Sequence, residues 1–111
     1  MQGKIAIIRT TAASRESAKL IAETLVFEKF AACAQIESPI ISIYRWRGKS
    51  ECAEEFPVSI KTSPERLDAA ARRLVEIHPY ECPQIIASFA DASEDYAKWC
   101  ANPETQAVPD K

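Results

Sequence analysis

His78 is the only histidine in the chain, and it stands directly before Pro79-Tyr80-Glu81-Cys82-Pro83. A neutral imidazole near a thiol, that of Cys82 or Cys33, can ligate a soft metal such as copper. A nucleophilic triad built on histidine would also have to use this one residue. The plainer role for His78 is to end a helix and hydrogen-bond one of its last carbonyls. Cys33 and Cys82 have an equally plain alternative, because a buried free cysteine behaves as a small hydrophobe. Cys52 falls in a hairpin segment and is expected at the surface.

Two further groupings have the residue types for chemistry. Arg45, Arg47 and Lys49 alternate with Tyr44 and Trp46, an interleaving of basic and aromatic side chains that single-stranded nucleic acid favours. The same period describes a half-buried arm with one solvated face, and an RNA-recognition domain needs its aromatic signature on a central strand. Glu51, Glu54 and Glu55 cluster nearby. Paired carboxylates can act as acid and base, yet cross-strand or intersubunit ion pairs are the commoner use of such charges.

Composition narrows the classes. A chain of 111 residues makes one domain, here taken as 1–111. With 47% hydrophobic and 27% charged residues it has ordinary globular usage. Its net charge of −2 argues against gripping nucleic acid or anionic lipid over a broad surface. Only two glycines, Gly3 and Gly48, are present, which excludes the phosphate-cradling loops and dinucleotide fingerprints that need several. The four cysteines contain no Cys-x-x-Cys, so neither a zinc knuckle nor a redox dithiol is expected. Ile5 to Ile8 is too short for a secretory apolar region, and no run approaches membrane-spanning length. Reduced thiols in a cytoplasmic protein follow as the expectation.

The elements that must position these residues can be read from pattern. Lys4 to Thr10 is a short β-branched run and predicts a buried strand. Ser14 caps a helix from Arg15 to Glu28 or Lys29, with Ala18, Ile21, Ala22 and Leu25 on its buried side. From Ala34 to Lys61 the pattern is β, and Gly48-Lys49 suits a two-residue hairpin loop. That loop pairs Ile41 with Phe56 and Tyr44 with Ala53, and sets Glu54 opposite Ile43. About ten residues on each arm can then pair, and the tip around Trp46 should project from the body. Pro39 and Pro57 cannot donate to a ladder, so bulges or unpaired edges are expected there.

Ser63-Pro64-Glu65 announces a second helix, with Leu67, Ala70, Ala71 and Leu74 buried and His78-Pro79 as its stop. Gln84 to Ala90 is the last strand, and Ser93 caps a short helix broken at Asn102-Pro103, which leaves 102–111 as a loose tail. The order predicts an α+β fold of the ferredoxin-like, split βαβ kind: four antiparallel strands with two helices on one face, plus a short C-terminal helix. Two helices cover only one sheet face, so the other face and its aromatic hairpin need a partner, and a self-assembled oligomer is expected.

Several blocks of this chain together resemble the CutA family of divalent-cation tolerance proteins. They are Ala31-Ala32-Cys33-Ala34, Ser42-Ile43-Tyr44-Arg45-Trp46-Arg47-Gly48-Lys49, Ile60-Lys61-Thr62, His78-Pro79-Tyr80-Glu81-Cys82-Pro83 and Asp95-Tyr96-Ala97-Lys98-Trp99. The resemblance implies a cytoplasmic homotrimer similar to the PII signalling proteins, in which long hairpins extend sheets across neighbours. It implies a role in tolerance of copper and other divalent cations, and no enzymatic reaction. Copper ligands in the family are a cysteine near the end of the first strand and two consecutive histidines. The matching positions here are Arg9, Ile77 and His78. Gln84 stands where members commonly carry glutamate. Tyr44 and Trp46 would serve the trimer, and Cys33, Glu54, Tyr80 and Cys82 would line the clefts between subunits.

Two other functions compete. A PII-like trimer could bind a small molecule or protein in those clefts instead of a metal. An acylphosphatase-type enzyme on the same fold would need a phosphate loop after the first strand, and Arg9-Thr10-Thr11-Ala12-Ala13-Ser14-Arg15 supplies an arginine without a glycine.

Overall fold

The β-branched run near the N-terminus becomes the central strand of the sheet, β1 (Gly3–Ala12), in a computed structural model that describes residues 1–104. The chain then enters α1 (Arg15–Phe27), where the Ser14 hydroxyl accepts the Ser17 N–H and so satisfies one of the free amides of the first turn. The helix stops without a glycine. Lys29 takes the left-handed conformation at φ 68°, its N–H bonds the Val26 oxygen, and the Phe30 N–H reaches back to the Leu25 oxygen. This closing pattern normally uses glycine, and a lysine there costs about 1 kcal/mol.

The next three strands share one long partner. β2 (Cys33–Ile36) and β3 (Ile40–Trp46) both pair along the same edge of β4 (Lys49–Thr62). Ile36 lies opposite Val58 and Ile40 opposite Glu55, so the β2–β3 side holds one residue more than β4 across the break. That is a β-bulge, placed where Pro39 has no N–H to offer, as expected from the prolines. The sheet therefore has five strands, not four. The Glu37 N–H within the bulge donates to the Pro57 oxygen at 2.9 Å.

The hairpin register differs from the expected one. The loop is Arg47-Gly48, not Gly48-Lys49, and both residues have positive φ, 51° and 78°, as a type I′ turn demands. Moving the loop by one residue moves every pairing by two. Ile41 faces Glu54, Ile43 faces Cys52 and Tyr44 faces Glu51. An even shift keeps each side chain on its expected face and changes only its neighbour.

Ser63 does not cap with its side chain. A 3-10 turn, Pro64–Arg66, leads instead into α2 (Leu67–Ile77), and the Arg66 N–H bonds the Ser63 main-chain oxygen. His78 ends the helix in extended conformation, because the following proline disfavours the helical region. β5 (Ile86–Ala92) begins two residues later than expected, and α3 (Glu94–Ala101) is capped by the Ser93 hydroxyl. Asn102 closes α3 as expected. Residues 105–111 of the expected loose tail lie outside the described residues.

The strand order is β2–β4–β1–β5 with β3 also on β4, all antiparallel. This is the split βαβ arrangement. α1 and α2 bury Ile21, Leu25, Ala70 and Leu74 against Ile8, Ala12, Val58 and Ile60 on one sheet face. Each fully buried branched side chain there contributes about 1.5–3 kcal/mol. Arg73 of α2 ties the helix pair to Glu28 at 2.8 and 3.1 Å, which pulls the exposed Glu28 carboxyl below its ordinary value.

The opposite face, called open below, is not bare. α3 covers its start, packing Tyr96, Ala97, Trp99 and Cys100 on Ile5 and Ile7. The approach is so close that a Cβ on Gly3 would lie 2.5 Å from the Ala97 Cβ. Beyond α3 the open face carries Arg9, Thr11, Ser59 and Glu55 and runs out along the hairpin.

Candidate functional site

The open face collects a polar cluster where β1, β4 and the loop after α2 meet. Arg9 and Thr11 of β1 stand across from Ser59 and Pro57 of β4, so their side chains share that face. The Arg9 guanidinium donates to the Ser59 hydroxyl at 2.8 Å and to Glu37 of the bulge at 3.3 Å, and the Ser59 hydroxyl donates to the same carboxylate oxygen at 3.0 Å. Beside them, one oxygen of Glu55 accepts from the Thr11 hydroxyl at 3.0 Å and from the Tyr80 hydroxyl at 3.1 Å. Burial, and then the bonded Glu55 carboxylate, push Tyr80 up to about 12. Neither carboxylate is therefore a lone anion.

His78 holds the loop to β1. Its Nε2 donates to the Thr11 main-chain oxygen at 2.9 Å, and its Nδ1 accepts the Tyr80 N–H at 3.2 Å. A peptide N–H can only donate and a carbonyl can only accept, so the pair of bonds defines the neutral Nε2–H tautomer. The residue is 7% exposed, and its ring stacks obliquely on Tyr80 at 4.7 Å between centroids. Both nitrogens are committed to main-chain groups.

Within one subunit the expected ligand positions are engaged in other contacts. His78 has no lone pair free for a cation, Ile77 packs into the core on the helix side of the sheet, and Arg9 is itself a cation bonded to Glu37 and Ser59. Among the described residues no three His, Cys, Asp or Glu side chains come together as metal ligands. The same bonds speak against a triad, since His78 touches no hydroxyl or thiol that it could activate.

The other expected residues are distributed as follows. Tyr44 and Trp46 project on the open-face side of β3, and Tyr44 lies near enough to Tyr80 to act on it electrostatically. Glu54 points to the opposite side of the arm from Glu55 and sits across from Ile41. It takes no part in the cluster. Cys82 and Gln84 are exposed on the loop after α2, and Cys33 is half-buried at the start of β2. The participants missed from sequence are Glu37, Thr11, Ser59 and Glu55. The available signal was the two-residue period, which puts Arg9 and Thr11 on one face of β1 and Ser59 and Glu55 on one face of β4.

Comparison with known proteins adds to this picture. A family model described as "CutA1 divalent ion tolerance protein" matches residues 6–103. The divalent-cation tolerance protein CutA of Thermus thermophilus is 34% identical over 94 residues, 84% of this chain and 91% of its own. A crystal structure of the divalent ion tolerance protein CutA1 from Ehrlichia chaffeensis superposes with a TM-score of 0.83 at 30% identity, covering 90% of this chain and 94% of that one. Two other relatives overturn the expected cytoplasmic location. The Arabidopsis thaliana relative, 33% identical over 86% of this chain and 53% of its own, is named chloroplastic. The Archaeoglobus fulgidus structure, with a TM-score of 0.80 and 34% identity over 86% of this chain and 94% of that one, is titled periplasmic. Relatives of this similarity thus occupy different compartments, and reduced-looking cysteine spacing does not select one.

Proposed function

Because the chain belongs to the CutA1 divalent ion tolerance family, we propose that it serves divalent-ion tolerance as a homotrimer that binds metal ions, copper among them, between its copies and has no reaction of its own. The observation that carries this reading is the uncovered apolar surface of the hairpin and of β5. Ile41 is 65% exposed, Ile43 78% and Phe89 60%, with Tyr44 and Trp46 on the other side of the same arm. Edge strands of this kind are normally paired or covered. A single subunit offers a cation no preformed ligand set, since His78 is bonded at both nitrogens. A site completed by neighbouring copies accounts for a metal role without requiring one within the subunit.

Light scattering should give three times the subunit mass, and Cu(II) should bind in proportion to the trimer. Trp46→Ala should weaken both assembly and Cu(II) binding, whereas Trp99→Ala, whose side chain packs where α3 meets the sheet and not on the arm, should leave the mass unchanged. A monomeric wild-type protein, or a trimer that takes up no Cu(II), overturns the reading.

A further inference from the structure

β4 serves two sets of partners in succession. Its second half pairs with β1 and β2, and its first half, Lys49 to Glu55, pairs with β3. Every neighbouring strand breaks near the step from one half to the other. β1 ends its pairing at Ala12 opposite Phe56, β2 ends at Ile36 opposite Val58, and β3 begins at Ile40 opposite Glu55. Among the described residues, the backbone passes from body to arm only through β4 itself and the bulge residues 37–39. Pro57 and Pro39 stand at this step without an N–H to offer. Strands bend at bulges, and hinges form at the ends of elements, so the arm can turn here unless it is held.

Two carboxylates hold it, one on each side of the step. Glu37 fastens the bulge to the body: its N–H donates to the Pro57 oxygen at 2.9 Å, and its Oε2 accepts from Ser59 at 3.0 Å and from Arg9 at 3.3 Å. Glu55, where the arm begins, accepts from the Thr11 hydroxyl at 3.0 Å and from the Tyr80 hydroxyl at 3.1 Å. Tyr80 sits on the loop that His78 ties to β1, so both bonds of Glu55 end on the body. Hydrogen bonds to an ionised group are about twice as strong as neutral ones. Thr11 and Ser59 are buried, and Glu55 and Tyr80 are half-buried, which limits competition from water. The tip has its own tie, Arg47 to Glu81 at 3.5 Å, but these side chains are 74% and 80% exposed, and such pairs contribute little.

We propose that the Arg9–Ser59–Glu37 and Thr11–Glu55–Tyr80 bonds lock the joint between body and arm, with Glu37 and Glu55 as positioning residues that set the angle at which the arm meets a neighbouring copy. The lever is long. From Glu55 to Lys49 runs about 20 Å of strand, so a turn of about 10° at the joint carries the tip through about 3.5 Å. A ring of copies closes only when every contact is made at the same suitable angle, and other angles give open or mixed assemblies. The link to assembly rests on the homotrimer reading above, whereas the lock itself needs one subunit only.

The test is amide hydrogen exchange of the full chain, read by peptide mass, alongside light scattering. Glu55→Ala should speed exchange at the joint, residues 37–41 and 53–57, by about tenfold, the scale of a lost hydrogen bond to a charged group. The β1–β5 ladder should exchange as in the wild type. Tyr80→Phe, which removes one of the two bonds, should give a smaller change in the same place. Glu55→Gln keeps an oxygen that can accept both bonds and should restore slow exchange, and Glu81→Ala should match the wild type. Glu55→Ala should also scatter as a spread of masses where the wild type gives one. Joint exchange that is unchanged in Glu55→Ala, or that rises equally in the β1–β5 ladder, overturns the lock. A loosened joint with a single unchanged mass overturns its part in assembly. A monomeric wild type would sink the trimer reading instead, and joint exchange in Glu55→Ala would still decide the lock.

Discussion

Nε2 of His78 lies 2.9 Å from the main-chain oxygen of Thr11, joining the loop after α2 to the last residues of β1. With Nδ1 accepting the Tyr80 N–H, one side chain satisfies a strand carbonyl and a loop amide at once. Replacing His78 with alanine leaves both groups unpaired in a buried position and opens a cavity. His78→Ala should lose about 3 kcal/mol of stability. Urea unfolding with an unchanged slope and a lower midpoint would bear this out, and a midpoint equal to the wild type would refute the double bond.

Alkaline sensitivity follows from the two raised tyrosines. Tyr80 and Tyr96 both move from 10.0 to about 12 in the folded chain, for burial keeps their neutral forms. The unfolded chain loses these protons first, so stability is complete below about pH 10 and falls as pH rises toward 12. Tyr80→Phe should flatten that fall by up to one proton. Unfolding midpoints followed upward from pH 9, with tyrosinate absorbance as a second signal, provide the check.

Thr10 presents the reverse case. It is buried on the helix side of β1, opposite Val58, and its hydroxyl finds no hydrogen-bond partner among the described residues. Thr10→Val keeps the shape and removes the unpaired oxygen. It should stabilise the fold by about 1 kcal/mol. A lower melting temperature in the variant would show that the hydroxyl is bonded after all.

Gly3 is required by contact, not by backbone angle. An added methyl would meet the Ala97 Cβ at 2.5 Å and the Ser93 oxygen at 2.8 Å, both on the α3 segment. Gly3→Ala should push α3 outward and cost about 1–3 kcal/mol. The emission of Trp99, which α3 packs against the sheet, should shift to the red. An unchanged spectrum together with unchanged stability would place α3 elsewhere.

What the sequence made legible was governed by local rules. Ser14, Ser93 and the His78-Pro79 stop act through their immediate neighbours, and all three act as read. Ser63 resembled a cap by type, but the 3-10 turn that follows uses its carbonyl in place of its hydroxyl. The hairpin was legible as a hairpin, while its pairing turned on whether Gly48 sits first or second in the loop. Arg47 accepts the strained first position, which residue type alone argues against. The cluster of Glu37, Ser59, Thr11 and Glu55 depends on the pairing of β1 with β4 and on the bulge, so the two-residue period sets Thr11, Ser59 and Glu55 on one face but does not by itself bring them together with Glu37.

The single extra residue between Ile36 and Ile40 governs what the arm offers a neighbour. In β2 the odd-numbered side chains, Cys33 and Gln35, share the open face, whereas in β3 the even-numbered ones do, Ile40, Ser42, Tyr44 and Trp46. Removing one residue from 37–39 would therefore not shorten the arm so much as turn it over. Ile41, Ile43 and Arg45 would replace the aromatic pair on the open face, and no side chain in β3 would have changed. The recognition surface of this molecule is written partly in a count of peptide units, and an alignment gap of one in that loop would mark a relative that meets its partners with the other side of its arm.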